Sequence, residues 1–123
     1  LNLVVMCYNA AISNLKMAKT RLEEKKYEEK AKALKKFLEI IGELMAALNF
    51  EKGGDIAKNL NAIYAYIYRS VSQGDIRKDT KPFEEAIGIL EELRDAWEEI
   101  GRPRAQHEAE KPQYTANGAA VRS

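Results

Sequence analysis

The sequence predicts an all-α protein: an antiparallel up-down four-helix bundle with a mobile C-terminal tail. Three observations predict it. Four segments carry apolar residues at spacings of three and four, the signature of helices with one face toward a core. Glycine, proline and short polar clusters stand where those segments begin and end. The joints between segments are short, which favours antiparallel neighbours.

The chain has 123 residues, enough for one domain with one core. Its formal net charge is +1, from 20 basic and 19 acidic residues, so charge gives no reason to expect nucleic acid or an anionic membrane as partner. No apolar run approaches the roughly 20 residues that cross a bilayer. Cys7 is alone and has no internal disulfide partner; on an apolar helix face it reads as a small hydrophobe in a reducing cytosol.

Helix one is expected over residues 1 to about 24. Val4, Tyr8, Ala11, Leu15, Ala18 and Leu22 share a face that Val5, Cys7 and Ile12 widen. Met6, Ala10 and Met17 form a second, nearly opposite apolar stripe. A simple surface helix has one apolar face, so two imply packing on both sides or a side open to a partner. Leu1 already lies inside the helical pattern with no methionine ahead of it, so a preceding segment is expected.

Helix two is expected from residue 27 to about 49. Tyr27, Ala31, Leu34, Phe37, Leu38, Ile41, Leu44, Met45 and Leu48 form its core face. Its lysines scatter around the wheel among glutamates, as on a solvated surface. Phe50 to Gly54 breaks the helix, because Gly53-Gly54 supplies turn geometry that other residues resist. Asp55 is the expected N-cap of helix three, over about residues 55–73, with Gly74 ending it.

Helix three organises the chain. Ile56, Leu60, Ile63, Ile67 and Val71 define one narrow aliphatic stripe. Asn59 and Tyr66 flank it on one side, and Ala57, Tyr64 and Tyr68 on the other. Tyrosine suits a place that is apolar at one end and wet at the other. These shoulders either cover the edge of the core or wall a groove for another helix.

Asp79 or Thr80 caps helix four, expected over about residues 81–100, and Pro82 fits its first turn. Phe83, Ala86, Ile87, Leu90, Leu93, Trp97 and Ile100 form its core stripe, and Gly101 and Pro103 stop it. Glu84, Glu91 and Glu98 share one face and Glu85, Glu92 and Glu99 another; both read as solubilising rows. The bundle therefore spans residues 1–101. Residues 102–123 hold two prolines and almost no large apolar residue, too little to offset the entropy of ordering them.

Reaction chemistry is sparse. His107 is the only histidine and lies in the tail. No zinc-binding pattern, phosphate-binding loop or carboxylate cage of the di-iron bundles is present, so neither a metal nor a catalytic residue is assigned.

Three stretches carry a resemblance. Residues 53–67, Gly-Gly-Asp-Ile-Ala-Lys-Asn-Leu-Asn-Ala-Ile-Tyr-Ala-Tyr-Ile, resemble the third-helix signature of the bacterial flagellar secretion chaperone family FliS. Residues 90–97, Leu-Glu-Glu-Leu-Arg-Asp-Ala-Trp, resemble its last-helix signature. Residues 3–12, Leu-Val-Val-Met-Cys-Tyr-Asn-Ala-Ala-Ile, resemble its first-helix pattern, in which an aliphatic run precedes Leu-Tyr-Asp-Gly-Ala. Cys7, Asn9 and Ala10 stand here for the leucine, aspartate and glycine of that pattern.

The resemblance implies a cytoplasmic four-helix chaperone without cofactor. Its partner would be the C-terminal segment of flagellin, which is disordered when free and ordered along the chaperone. Binding would prevent early polymerisation and aid delivery to the export gate, the membrane protein FlhA. Ile56, Asn59, Leu60, Ile63, Tyr64, Tyr66 and Ile67 are the expected flagellin-binding residues, with Asn59 bonding ligand backbone. Met6, Ala10 and Met17 are a second expected strip. The family's N-terminal leader, which can lie over the groove, is not among these residues, and no essential role is expected for residues 102–123. The competing reading is a helical protein that self-associates as a weak homodimer through the Met6/Met17 stripe and the tyrosines, without flagellin specificity.

Overall fold

A computed structural model describes residues 2–100, all four helices of the bundle. The expectations for Gly101, Pro103, His107 and the tail lie outside the described residues. The helices are α1 (Asn2–Glu23), α2 (Tyr27–Ala46), α3 (Phe50–Arg77) and α4 (Lys81–Ile100), and no strand occurs among the described residues. Each packs against its neighbours in a ring, α1 against α2, α2 against α3, α3 against α4 and α4 against α1, with the broadest contact between α1 and α2. The chain alternates in direction. Tyr8 meets Trp97 while Lys19 meets Glu84, so α1 and α4 run oppositely. Lys30 near the start of α2 pairs with Asp75 near the end of α3 at 2.6 Å.

The core holds Tyr8, Ala11, Ile12, Leu15, Ala18 and Leu22 of α1, with Phe37, Ile41, Ile67, Val71, Phe83 and Leu90 among the contributions of the other helices. This matches the α1 and α4 stripes except at Ile100, expected in the α4 core stripe, which is exposed at the last position of the helix. On α2 the buried face is Ala33, Leu34, Phe37, Ile40, Ile41 and Leu44. Tyr27 and Ala31, expected in the core, are exposed instead. The broad α1 contact turns Ala33 and Ile40 inward, while Tyr27 sits in the first turn under the Lys78 ammonium, 4.8 Å from its ring centre.

α3 departs most from expectation. Its N-cap is Asn49 and not Asp55: the Lys52 N–H donates to Asn49 Oδ1 at 3.0 Å. The helix therefore starts at Phe50, and the expected break survives as a kink at Gly54, whose φ of 53° and ψ of −127° suit only glycine. Gly74 does not end the helix. It is buried and lies where a Cβ would come within 2.8 Å of the Asp79 carbonyl oxygen, so its missing side chain lets the α3–α4 turn pack closely. The helix runs on to Arg77. Between α3 and α4 the side-chain cap is Asp79, whose Oδ1 accepts from the Lys81 N–H (3.0 Å), while the Thr80 backbone carbonyl accepts from the Glu84 N–H (3.0 Å) as the helix begins.

The acidic rows of α4 are more than solubilising. Glu84 and Glu91 face α1 and pair with Lys19 (3.5 Å) and Lys16 (3.4 Å). Glu85 faces α3 and accepts from the Tyr66 hydroxyl at 2.8 Å. Such exposed pairs contribute about 0–1 kcal/mol each, so they set orientation more than stability.

Candidate interaction surface

The structure divides the ten expected binding residues into three groups. Tyr64 and Ile67 are buried in the core. The expectation that Tyr64 walls a groove and that Ile67 contacts the partner directly is corrected, because neither has a side-chain face left for a partner. Leu60 and Ile63 are half-buried and packed against the core edge. Ile56, Asn59 and Tyr66 are exposed on the outer side of α3, Ile56 at 66%. Met6 (62%) and Met17 are exposed on the outer side of α1, with Ala10 half-buried between them. α1 and α3 stand at opposite corners of the ring, so these residues form separate strips on two sides of the molecule and not one groove.

Tyr64 is buried because its polar end is satisfied inside. Its hydroxyl is hydrogen-bonded to that of Tyr8, and the Trp97 indole N–H donates to the Tyr8 hydroxyl at 3.2 Å. The Tyr8 and Tyr64 rings lie 6.5 Å apart at a 47° tilt. Burial pushes both phenols above their ordinary range, keeping them neutral. Tyr66 is raised as well, chiefly by its bond to the Glu85 carboxylate.

Residues missed by the sequence reading add to the surface. Leu3 is exposed on α1 and Ile76 on α3, Ile76 at 80%, while Tyr68, expected only as a shoulder of α3, is exposed as well. Between α2 and α3 runs an open groove of about 620 Å³. Ala31, Leu34, Leu38, Gly42 and Tyr68 line it, with Lys30, Lys35, Glu39 and Asp75 along its edges. The available signal was the apolar face of α2, wider than one core contact needs. Asn9 also gains a place, accepting a hydrogen bond from the Arg94 guanidinium (3.2 Å) across the α1–α4 seam.

Among the described residues no cluster of histidine, cysteine, aspartate or glutamate could hold a metal ion, and no helix is long and apolar enough to cross a membrane. Exposed apolar strips on a bundle whose core is already complete define a helical binding module. The comparisons with known proteins place that module in a family. The model of the flagellar protein FliS matches residues 1–104. The chain is 38% identical over 104 residues to the flagellar secretion chaperone FliS of Salmonella typhimurium, covering 84% of this chain and 76% of that one. It is 33% identical over 98 residues to that of Vibrio cholerae (80% and 72% covered) and 32% over 97 residues to that of Bacillus subtilis (79% and 71%). The chain belongs to the FliS family of flagellar secretion chaperones, which are cytoplasmic and not enzymes.

Proposed function

We propose that this protein holds the C-terminal segment of flagellin in the bacterial cytosol and passes it, still unpolymerised, to the export gate protein FlhA. The observation that carries this reading is the unpartnered apolar surface on α1 and α3, above all Ile56 and Met6, in a bundle with a finished core. A disordered amphipathic segment has the complementary chemistry: it gains apolar burial and internal hydrogen bonds together as it orders on such strips. Ile56, Asn59 and Tyr66 form one strip, with the exposed edges of Leu60 and Ile63. Met6, Ala10 and Met17 form the second. Tyr64 and Ile67 support the first strip from within.

Calorimetric titration of a flagellin C-terminal peptide, with circular dichroism on the mixture, tests this. Saturable binding near one to one, a negative heat-capacity change and added helix are expected. A folded protein that shows no heat with the peptide would sink the proposal. The same strips could instead join two copies; a mass that rises with concentration and falls on adding peptide would show the surface shared, and a homodimer indifferent to peptide would favour self-association. For FlhA, the expected result is capture of the chaperone–peptide complex by its cytoplasmic domain in preference to the free chaperone.

A further inference from the structure

Two rotations of α3 compete in the sequence. With Ile56, Leu60, Ile63, Ile67 and Val71 inward, the helix would bury an all-aliphatic stripe and leave Tyr64 at the rim. The structure adopts the other: Ala57, Tyr64, Ile67, Val71 and Gly74 face inward, Ile56 is exposed, and Ile63 is only half-buried. Burying the large ring of Tyr64 in place of Ile63 favours the observed rotation only if its hydroxyl finds a partner inside.

What permits the observed rotation, with a tyrosine at position 64, is the Tyr8 hydroxyl. Tyr64 is 2% exposed and Tyr8 is fully buried, so each hydroxyl depends on the other in the core. Theirs is the side-chain hydrogen bond that joins α1 to α3 across the bundle among the described residues. Trp97 extends it to α4. α3 is also the helix with most freedom to turn. It contacts both neighbours less than α1 does and borders the open α2–α3 groove. Among the described residues it carries five of the ten exposed large apolar side chains: Phe50, Ile56, Tyr66, Tyr68 and Ile76. The Gly54 kink lies near one end and the Lys30–Asp75 pair near the other, with Tyr64 between them.

We propose that Tyr8 is a positioning residue: by satisfying the Tyr64 hydroxyl inside the core it permits the rotation of α3 that buries Tyr64, and so governs which face of α3 is offered to a partner. Its link to binding rests on the function proposed above; the rotation itself does not. Replacing Tyr8 alone leaves the Tyr64 hydroxyl without its partner, which drives Tyr64 outward and Ile63 inward; the Trp97 N–H loses its acceptor in the single and double variants alike and does not separate them. Replacing both tyrosines by phenylalanine removes the orphaned hydroxyl and restores the reason to keep position 64 inside.

The test is NMR on the full chain in four forms: unaltered, Tyr8→Phe, Tyr64→Phe and the double variant. Tyr8→Phe is expected to shift or broaden α3 resonances from 56 to 71 and to bring Ile63 methyl contacts into the core, while Tyr64→Phe and the double variant keep the original α3 pattern. Affinity for the flagellin C-terminal peptide should fall about tenfold in Tyr8→Phe and return to within about twofold in the double variant, a rescue that simple loss of packing would not give. Changes in Tyr8→Phe confined to the surroundings of residues 8, 64 and 97 overturn the proposal, as does a double variant with α3 displaced. If Tyr8→Phe does not fold, the double variant decides: folded with α3 in place supports the proposal, and unfolded or displaced overturns it. Failure of the unaltered chain to bind peptide would count against the proposed function and leave the NMR result standing.

Discussion

Lys25 and Lys78 occupy the same backbone position at the ends of two helices. Each has a positive φ, 63° and 58°, in the left-handed region that favours glycine. At the end of α1 the Lys25 N–H donates to the Leu22 carbonyl and the Lys26 N–H to that of Arg21; at the end of α3 Lys78 donates to Asp75 and Asp79 to Gly74. This paired pattern satisfies two carbonyls the helix leaves free. Lys25→Gly should raise stability by about 0.5–1 kcal/mol, read by urea unfolding. Lys78→Gly should gain less, because it also removes the ammonium over the Tyr27 ring.

Gly42 and Gly74 both lie inside helices but predict opposite results. A Cβ at Gly42 would meet nothing within 4 Å, so Gly42→Ala should stabilise by about 0.5–1 kcal/mol through helix propensity. A Cβ at Gly74 would come within 2.8 Å of a backbone carbonyl and 3.0 Å of Pro82, so Gly74→Ala should lose about 1–3 kcal/mol despite the same propensity gain. Thermal melts of the two variants side by side check the contrast.

Alkaline pH should unfold the protein through its core tyrosines. Burial first of all raises the pKa of both Tyr8 and Tyr64 in the folded state. Below about pH 10 folded and unfolded chains both keep these protons, and the stabilisation is complete. Above it the unfolded chain ionises while the native core does not, so stability falls as pH rises, by up to about 1.4 kcal/mol per pH unit for each tyrosine. Urea midpoints from pH 8 to 11.5 should show the fall, and Tyr64→Phe should reduce its slope.

Charge on α3 should separate binding from folding. Ile56→Asp, at an exposed site, should keep the melting temperature within a few degrees and weaken the flagellin peptide about tenfold or more. Ile67→Asp, in the core, should abolish folding, because it buries an unpaired carboxylate. Equal binding by Ile56→Asp and the unaltered chain would remove Ile56 from the proposed strip.

Asn9→Asp should strengthen the α1–α4 seam slightly. The Arg94 guanidinium already donates to the Asn9 side chain, and a carboxylate there makes that bond an ion pair. A gain of about 0.2–1 kcal/mol that vanishes in high salt is expected, with peptide affinity unchanged.

Four helices, their order and their antiparallel run were legible in residues 2–100 because each rests on local patterns: apolar spacing, the Pro82 start and the short joints. The cores of α1 and α4 followed directly, since Leu15, Ala18, Phe83 and Leu90 lie on unambiguous stripes. The candidate binding strip was legible only in part. Ile56, Asn59, Tyr66, Met6 and Met17 are on the surface, whereas Tyr64 and Ile67 went inside. A periodicity count weighs side chains by type and cannot see that a hydroxyl 56 residues away will meet Tyr64.

The sequence alone therefore determined the class of fold and the family, because helix periodicity and the three signature stretches are properties of neighbouring residues. The tertiary structure decided the rotation of α3, the displacement of its cap to Asn49, the continuation through Gly74 and the separation of the apolar surface into two strips. The cap at Asn49 and the close turn after Gly74 rest on residues three to eight positions away, whereas the rotation of α3 and the two strips depend on partners distant in the chain, Tyr8 for Tyr64 and the ring of four helices that keeps α1 and α3 apart. Such contacts exist only once the chain has closed on itself, and so the outward face of α3 is a property of the assembled bundle.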